Sequence, residues 1–131
     1  FFVTNNSTKS RKVVYEHAQK LGFMDEHVID INHFYPTCYS VALHCKKNLK
    51  SKKVFVIGLE GIITEFENLG IEVVKVPQEM IEQSRISEDE FAQMKEDPTI
   101  DTVVSGYYPY VTYHLLCYAS ILIRAGAKYI S

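Results

Sequence analysis

The sequence predicts an α/β fold with a mainly parallel sheet. Short apolar runs such as residues 54–57 have the length and β-branched content of strands that are buried on both faces. Stretches with apolar residues at every third or fourth position, which is typical of amphipathic helices, follow these runs. Strands that alternate with helices of this length pair in parallel through right-handed crossovers. The sequence therefore predicts a parallel sheet.

The first part of the chain is predicted to contain one strand and two helices. Residues 1–3 read as a short buried strand, residues 4–7 as a polar turn, and residues 8–21 as a helix that Gly22 ends. A linker at residues 24–33 leads to a second helix that begins near Pro36, since proline is favoured in a first turn. The expected buried stripes are Val14, His17, Ala18 and Leu21 in the first helix, and Cys38, Val41, Ala42 and Cys45 in the second.

From Lys52 onward the pattern becomes a regular alternation of strands and helices. Ser87 with Glu90 three residues later is a capping-box signature, and Thr112 is predicted to cap the last helix. The pattern leaves open whether residues 77–86 form a loop or an irregular helix. The predicted strands are 54–57, 71–76, 101–105 and 127–131, and the predicted helices are 61–69, one from 87 that stops before Pro98, and 113–125.

Composition and charge are those of an ordinary globular protein. Of the 131 residues, 47% are hydrophobic and 23% are charged, and the formal net charge is −2. No basic patch typical of nucleic-acid binding is present, and the longest apolar run is too short to span a bilayer. Three cysteines without framework spacing indicate reduced thiols. We therefore expect a cytoplasmic protein with neither nucleic acid nor membrane as a partner.

Both ends of the sequence fall inside predicted strands. The chain opens with Phe1, Phe2 and Val3 without a methionine, and it closes within an apolar run. We therefore expect these residues to be a segment of a longer protein.

A candidate phosphate site follows the first strand. A hydroxyl at the carboxyl end of a parallel strand lies where open α/β sheets bind ligands, and a helix amino terminus after it favours an anion. Thr4 and Asn5 could donate to phosphoryl oxygens, while Lys9 and Arg11 add positive charge. The alternative is that Thr4, Asn5 and Ser7 only complete the turn and cap the helix.

Four blocks of sequence, taken in order, resemble the haloacid-dehalogenase-superfamily phosphatases with a type C2a cap, the subgroup of phosphoglycolate phosphatase, 4-nitrophenylphosphatase and the NagD-like enzymes. The resemblance covers nearly the whole chain. The four blocks are Phe-Val-Thr-Asn-Asn-Ser-x-x-Ser-Arg at residues 2–11, the helix at residues 34–42, the cap unit at residues 53–73, and the stretch from residue 103 to residue 130.

The resemblance implies a magnesium-dependent phosphatase that acts on small phosphorylated metabolites through an aspartyl-phosphate intermediate. It implies that residues 1–49 belong to an incomplete Rossmann-like core and residues 50–131 to an α/β cap. Thr4, Asn5 and Asn6 would contact the phosphate. No Asp-x-Asp occurs in the sequence, so the nucleophile and the Mg²⁺ ligands would lie outside these residues. The segment alone is therefore expected to be inactive.

The resemblance assigns substrate selection to a cap loop that contains Tyr107, Tyr108 and Tyr110. These tyrosines either contact the substrate or pack locally or at an interface between caps, because tyrosine is enriched in interfaces. The alternative function is therefore a non-catalytic binding or dimerisation module of the same fold, with a homodimer formed through the cap.

Two further motifs are read as structural. His33, Cys38, His44 and Cys45 lie close together in sequence but lack zinc-ligand spacing, so no metal site is expected in the segment. Gly58-x-x-Gly61 lacks the third glycine of a nucleotide-binding loop and is assigned to tight strand-to-helix geometry.

Overall fold

The computed structural model describes residues 1–22 and 28–131. It confirms the predicted α/β class with parallel sheets. Most of the predicted linker at residues 24–33 lies outside the described residues or in irregular backbone, apart from a short 3₁₀ turn at Ile31–His33. The strands are β1 Phe2–Thr4, β2 Phe34–Pro36, β3 Lys53–Ile57, β4 Glu72–Lys75, β5 Thr102–Ser105 and β6 Lys128–Ile130; the helices are α1 Arg11–Lys20, α2 Thr37–His44, α3 Glu60–Asn68, α4 Gln78–Glu82, α5 Glu88–Gln93 and α6 Tyr113–Arg124.

The strands form two separate parallel sheets. β1 pairs with β2, so that Thr4 lies opposite Pro36 at the carboxyl end of the pair. The other four strands are ordered β4-β3-β5-β6, with every neighbouring pair parallel. A π-helical turn at Cys45–Leu49 extends α2 and leads toward the larger sheet.

Helices cover both faces of the four-stranded sheet. Alternate residues of β3 point to opposite sides, so Val54 and Val56 join one buried cluster while Phe55 and Ile57 join another. The first cluster includes residues of α2 and α3, and the second includes residues of α4 and α6. The predicted stripe of α2 is confirmed, because Cys38, Ala42 and Cys45 are buried and Val41 packs against them.

The prediction that residues 1–3 form a buried strand is wrong about burial. Phe1 is 88% exposed and Val3 is 78% exposed. Among the described residues β1 has a single neighbouring strand, and an apolar groove of about 250 Å³ lies between β1 and α1. The same groove borders His17, which is exposed rather than partly buried as the helical spacing suggested.

Helix α1 begins at Arg11, three residues later than predicted. The side-chain oxygen of Asn6 accepts hydrogen bonds from the backbone N–H of Thr8 and of Lys9, which holds those residues in a turn. Ser10 then caps the helix by accepting from the N–H of Val13. The polar loop after β1 is therefore longer than the four residues expected.

The caps read from the sequence are confirmed in the later helices. Ser87 and Glu90 form a complete capping box at α5, and Thr112 accepts a hydrogen bond from the N–H of Leu115 at 3.2 Å. The ambiguous stretch at residues 77–86 contains the short helix α4. None of the helices in the described ranges combines the length and the apolarity needed to cross a bilayer.

Candidate functional site

Thr4 is the last residue of β1, at the carboxyl end of the β1–β2 pair. Its hydroxyl oxygen accepts a hydrogen bond of 3.3 Å from the N–H of Asn6, and its carbonyl accepts one of 3.1 Å from the hydroxyl of Thr37. Neither bond uses the hydroxyl hydrogen of Thr4. The Thr4 hydroxyl can therefore donate to an oxyanion while the N–H of Asn6 fixes the position of its oxygen.

Asn6 organises the loop that follows Thr4. Its side-chain oxygen accepts from the N–H of Thr8 at 2.9 Å, the hydroxyl of Thr8 at 3.0 Å and the N–H of Lys9 at 3.0 Å. For this oxygen the structure shows the role of completing a turn. Asn5 is exposed in this loop. Phosphate binding by Thr4, Asn5 and Asn6 remains a prediction.

A carboxyl group from α3 occupies part of the amino terminus of α1. The N–H of Arg11, the first residue of α1, donates a short hydrogen bond to Oε1 of Glu65, and Glu65 is only 4% exposed. A carboxylate at this position satisfies a free N–H and complements the helix dipole. Part of this terminus is therefore occupied by Glu65, so it is less available to an anion than the sequence suggested.

The side chain of Arg11 is also engaged elsewhere. Its Nε donates to the carbonyl of Phe34 at 3.0 Å, and its guanidinium carbon lies 4.0 Å from the ring centroid of Tyr39. The positive charge of Arg11 is therefore directed toward β2 and α2, and the expectation that it serves the loop is wrong. Lys9 is exposed beside the loop.

Two glycines mark close approaches around the loop. A Cβ placed on Gly61 would lie 2.4 Å from the carbonyl oxygen of Thr8, so α3 and the loop touch through their backbones. A Cβ placed on Gly58 would lie 2.5 Å from the Ile62 side chain, in line with the expected tight strand-to-helix geometry. Gly61 was predicted to serve only the turn between strand and helix. In the structure its missing side chain also makes room for the backbone of Thr8 and Lys9.

The loop after β5 comes near the loop after β1. A Cβ placed on Gly106 would lie 3.9 Å from the Cβ and the hydroxyl oxygen of Ser7. The turn with three tyrosines thus begins beside the loop that carries Thr4, Asn5 and Asn6. The structure brings the two groups of predicted site residues to neighbouring loops at the carboxyl ends of β1 and β5.

The three tyrosines of this turn have different surroundings. Tyr108 is partly buried against the second core cluster, and its ring meets that of Tyr110 edge-on at 5.6 Å. Burial raises the pKa of the Tyr108 hydroxyl. Tyr107 and Tyr110 are 62% and 58% exposed. Tyr108 therefore anchors the turn, and the other two tyrosines have free surface.

The described residues contain no group of three or more His, Cys, Asp or Glu side chains arranged to hold a metal ion. Cys38 donates through its thiol to the carbonyl of Lys9 at 3.0 Å, and burial raises its pKa to about 11. Mg²⁺ prefers oxygen ligands, so a buried thiol does not provide a site for it. The described residues therefore do not fit a Mg²⁺ site.

Comparison with protein families gives a match to the haloacid dehalogenase-like hydrolase model over residues 1–72. This range includes β1, the Thr4 loop and α3. The chain belongs to the haloacid dehalogenase-like hydrolase family.

The relatives of this chain that carry a name are phosphatases. The chain is 34% identical to a 4-nitrophenylphosphatase of Schizosaccharomyces pombe over 90% of its own length and 39% of the relative's. It is 34% identical to phosphoglycolate phosphatase 1A of Arabidopsis thaliana, a chloroplastic protein, over 94% of its own length and 33% of the relative's. The chain therefore spans two-fifths or less of the length of these curated relatives.

A solved structure shares the fold. The glycerol phosphate phosphatase of Mycobacterium tuberculosis, in complex with magnesium, matches with a TM-score of 0.61 and 25% identity. The match covers 97% of this chain and 32% of that protein. The arrangement of strands and helices in these residues is therefore that of the family.

Reasoning from the sequence missed Glu65, although a signal for it was present. Ile62, Phe66 and Leu69 form an apolar stripe, and Glu65 occupies the fourth position of that stripe. A carboxylate on an apolar helix face requires a specific partner. Its partner, the N–H of Arg11, lies 54 residues away and could not be read from local patterns.

Burial of Glu65 makes stability depend on pH in a defined direction. Burial is the main cause that raises its pKa above the ordinary 4.5, and the N–H and charge of Arg11 oppose this shift. The other titratable group that interacts with it is the neutral thiol of Cys38. The folded state therefore holds the proton of Glu65 more tightly than the unfolded state does. The stability that this proton contributes is fully present below about pH 4.5 and is lost as pH rises through the folded pKa of Glu65.

We therefore expect Glu65→Gln, which is neutral throughout, to become more stable relative to the wild type as pH rises from 4.5. The measurement is chemical denaturation of both proteins at several pH values. A difference in unfolding free energy that stays constant with pH, or moves the opposite way, would contradict the assignment.

Proposed function

We propose that residues 1–131 form the phosphate-binding and substrate-covering part of a phosphatase that acts on small phosphorylated metabolites. The observation that supports this most is the position of Thr4. Thr4 is the last residue of a parallel strand. The N–H of Asn6 donates to its hydroxyl oxygen, and the hydroxyl hydrogen stays available for an oxyanion. The phosphatase relatives support the same class of reaction.

In this proposal Thr4 and Asn5 hold oxygens of the transferred phosphoryl group. Charge on these oxygens is redistributed in the transition state, and fixed donors at that point lower the barrier. The side-chain oxygen of Asn6 keeps the loop folded, which leaves its NH₂ group as the part that could contact phosphate. The nucleophilic Asp, whose aspartyl-phosphate is the intermediate, and the acids that bind Mg²⁺ would come from outside these residues.

The turn after β5 would contact the leaving group. Tyr107 and Tyr110 have exposed rings and hydroxyls, and the turn starts next to Ser7. Substrates of the phosphoglycolate or 4-nitrophenyl phosphate type are consistent with the relatives. The aromatic faces favour a leaving group that can stack or pack against them.

We also propose a division of the chain into a core part and a cap. The sequence predicted a boundary between residues 49 and 50. Packing favours a boundary nearer Pro36, since α2 buries Cys38, Ala42 and Cys45 in the same cluster as β3 and α3. Comparison of residues 37–131 with residues 50–131 tests this: we expect the first piece to unfold cooperatively, and the second, which lacks the buried side chains of α2, to show no cooperative transition.

The assay that tests the function compares the 131-residue chain with a longer polypeptide that also contains the proposed nucleophilic Asp and the proposed Mg²⁺-binding acids. We expect Mg²⁺-dependent hydrolysis of p-nitrophenyl phosphate by the longer polypeptide and none by the chain alone. Turnover by the purified chain would contradict the assignment of the nucleophile to other residues. An inactive longer polypeptide would overturn the phosphatase function itself.

One observation favours the second candidate, a dimerisation module. Tyr113, Leu116 and Ile123 lie on one side of α6 and are exposed, and Tyr129 of β6 lies exposed beside them. A groove of about 300 Å³ runs between α6 and this strand. A second copy of the chain, docked through this surface, would cover these side chains.

The dimer is tested by sedimentation of the chain and of Leu116→Glu. We expect the wild type to approach twice 15.1 kDa as concentration rises and Leu116→Glu to remain monomeric, because a buried unpaired charge opposes association. Leu21→Glu, an equally exposed leucine at the end of α1, is the control and should behave as the wild type. A wild-type chain that is monomeric at all concentrations would exclude this role.

A further inference from the structure

Two residues one turn apart on α3 lie against the backbone that leads into α1. Gly61 leaves room for the loop, since a Cβ placed there would lie 2.4 Å from the Thr8 carbonyl oxygen and 2.6 Å from the Lys9 nitrogen. Glu65 accepts a hydrogen bond from the N–H of Arg11. One face of α3 therefore contacts the backbone of residues 8–11.

This contact continues to Thr4 through the loop. The N–H groups of Thr8 and Lys9 donate to the side-chain oxygen of Asn6. The N–H of Asn6 in turn donates to the hydroxyl oxygen of Thr4. Each of these bonds joins residues two or three positions apart. A displacement of the start of α1 would therefore move the hydroxyl of Thr4.

The position of Glu65 fits a role in holding this terminus. The first N–H groups of a helix have no partner within the helix. Ser10 caps α1 by bonding to the N–H of Val13, which leaves the N–H of Arg11 to another acceptor. Glu65 supplies that acceptor from a buried position on α3. The hydrogen bond to Glu65 is donated by the backbone N–H of Arg11, while the Nε of the same residue donates to the carbonyl of Phe34.

We propose that Glu65 is a positioning residue: through the N–H of Arg11 it fixes the start of α1 and, with it, the loop that places the Thr4 hydroxyl. The inference rests on the proposed role of Thr4 in binding phosphate. The part of Glu65 that matters is a hydrogen-bond acceptor at the end of a side chain of this length. Glutamine keeps both properties, whereas methionine has a similar size and lacks the acceptor.

The first readout needs no activity. Amide hydrogen exchange of the 131-residue chain is measured by NMR for Arg11 and Asn6. In Glu65→Met we expect the Arg11 amide to exchange about tenfold faster or more, and the Asn6 amide signal to shift. In Glu65→Gln both amides should stay within about threefold of the wild-type rates. Glu67→Met, on the solvent side of the same helix, is the matched control and should leave both unchanged.

The second readout is the kinetics of the longer polypeptide with p-nitrophenyl phosphate. We expect kcat of Glu65→Met to fall by about tenfold, with a much smaller change in KM, because a displaced donor is lost mainly in the transition state. Glu65→Gln should restore kcat to within about threefold of the wild-type value. Should Glu65→Met fail to fold, Glu65→Asp, which is too short to reach Arg11, takes its place in both readouts.

The outcomes separate the inference from the function on which it rests. Faster Arg11 exchange and lower kcat in Glu65→Met, both restored by glutamine, support the positioning role. Wild-type exchange in Glu65→Met, or faster exchange with unchanged kcat, overturns it. If the wild-type longer polypeptide hydrolyses no phosphate ester, the proposed function fails, and an undisturbed Asn6 amide in Glu65→Met would then overturn the positioning role independently.

Discussion

Replacement of Thr4 by alanine is expected to lower kcat/KM of the longer polypeptide for p-nitrophenyl phosphate by roughly 100- to 1,000-fold. The variant removes a hydroxyl that the N–H of Asn6 holds at 3.3 Å at the end of β1. A donor fixed in this way contributes most where charge develops on the phosphoryl oxygens. Steady-state kinetics, with a check of folding by circular dichroism, measure the effect.

Two controls separate loss of the hydroxyl from other causes. Thr4→Ser keeps a hydroxyl on the same Cβ and should retain activity within about tenfold. Thr99→Ala removes a hydroxyl from the exposed loop before β5, where its partner is Asp97, and should behave as the wild type. A Thr4→Ala variant with full activity would show that the Thr4 hydroxyl does not contact the phosphoryl group.

Replacement of Gly61 by alanine is expected to destabilise the 131-residue chain by about 1–3 kcal/mol. The added Cβ would lie 2.4 Å from the carbonyl oxygen of Thr8, and its nearest neighbours are all backbone atoms. Such atoms move only if α3 and the loop separate. The loss is expected although alanine is the better helix former by about 0.5–1 kcal/mol. Chemical denaturation gives the free energy of unfolding directly.

Gly106→Ala is the matched control for Gly61→Ala. A Cβ at Gly106 meets nothing closer than the Ile62 side chain at 3.5 Å, which is an ordinary contact. We therefore expect its unfolding free energy to stay within about 0.5 kcal/mol of the wild-type value. Equal stability of the Gly61→Ala and wild-type chains would mean that α3 and the Thr8 backbone are not in contact.

Local patterns predicted the four-stranded part of the fold well. β3 is apolar on both faces, so its burial between layers of helices could be inferred from its own residues. The caps at Ser87 and Thr112 also depend only on residues within one helical turn. Features determined by neighbours in sequence were therefore accessible to prediction.

Features determined by distant contacts were not predictable in the same way. Helical spacing placed His17 on a buried face, but exposure depends on what covers that face. Helix α1 begins three residues later than predicted because the Asn6 side chain accepts hydrogen bonds from the N–H groups of Thr8 and Lys9.

Within the candidate site, the sequence indicated which side chains could bind phosphate, and the structure shows which neighbours hold them in place. Thr4 was predicted from its place after a strand, and it does lie at the carboxyl end of a parallel pair. The filling of the α1 terminus by Glu65 depends on a contact between residues 54 positions apart. Because Glu65 already takes the N–H of Arg11, we expect an anion near Thr4 to be bound mainly by loop donors.

The most direct test is a crystal structure of the longer polypeptide with orthovanadate, a mimic of the transferred phosphoryl group. We predict the Thr4 hydroxyl oxygen at roughly 2.6–3.2 Å from a vanadate oxygen, with the N–H of Asn6 still bonded to Thr4. Vanadate bound in the active site with the Thr4 hydroxyl out of hydrogen-bonding reach would contradict the assignment of this loop to phosphate.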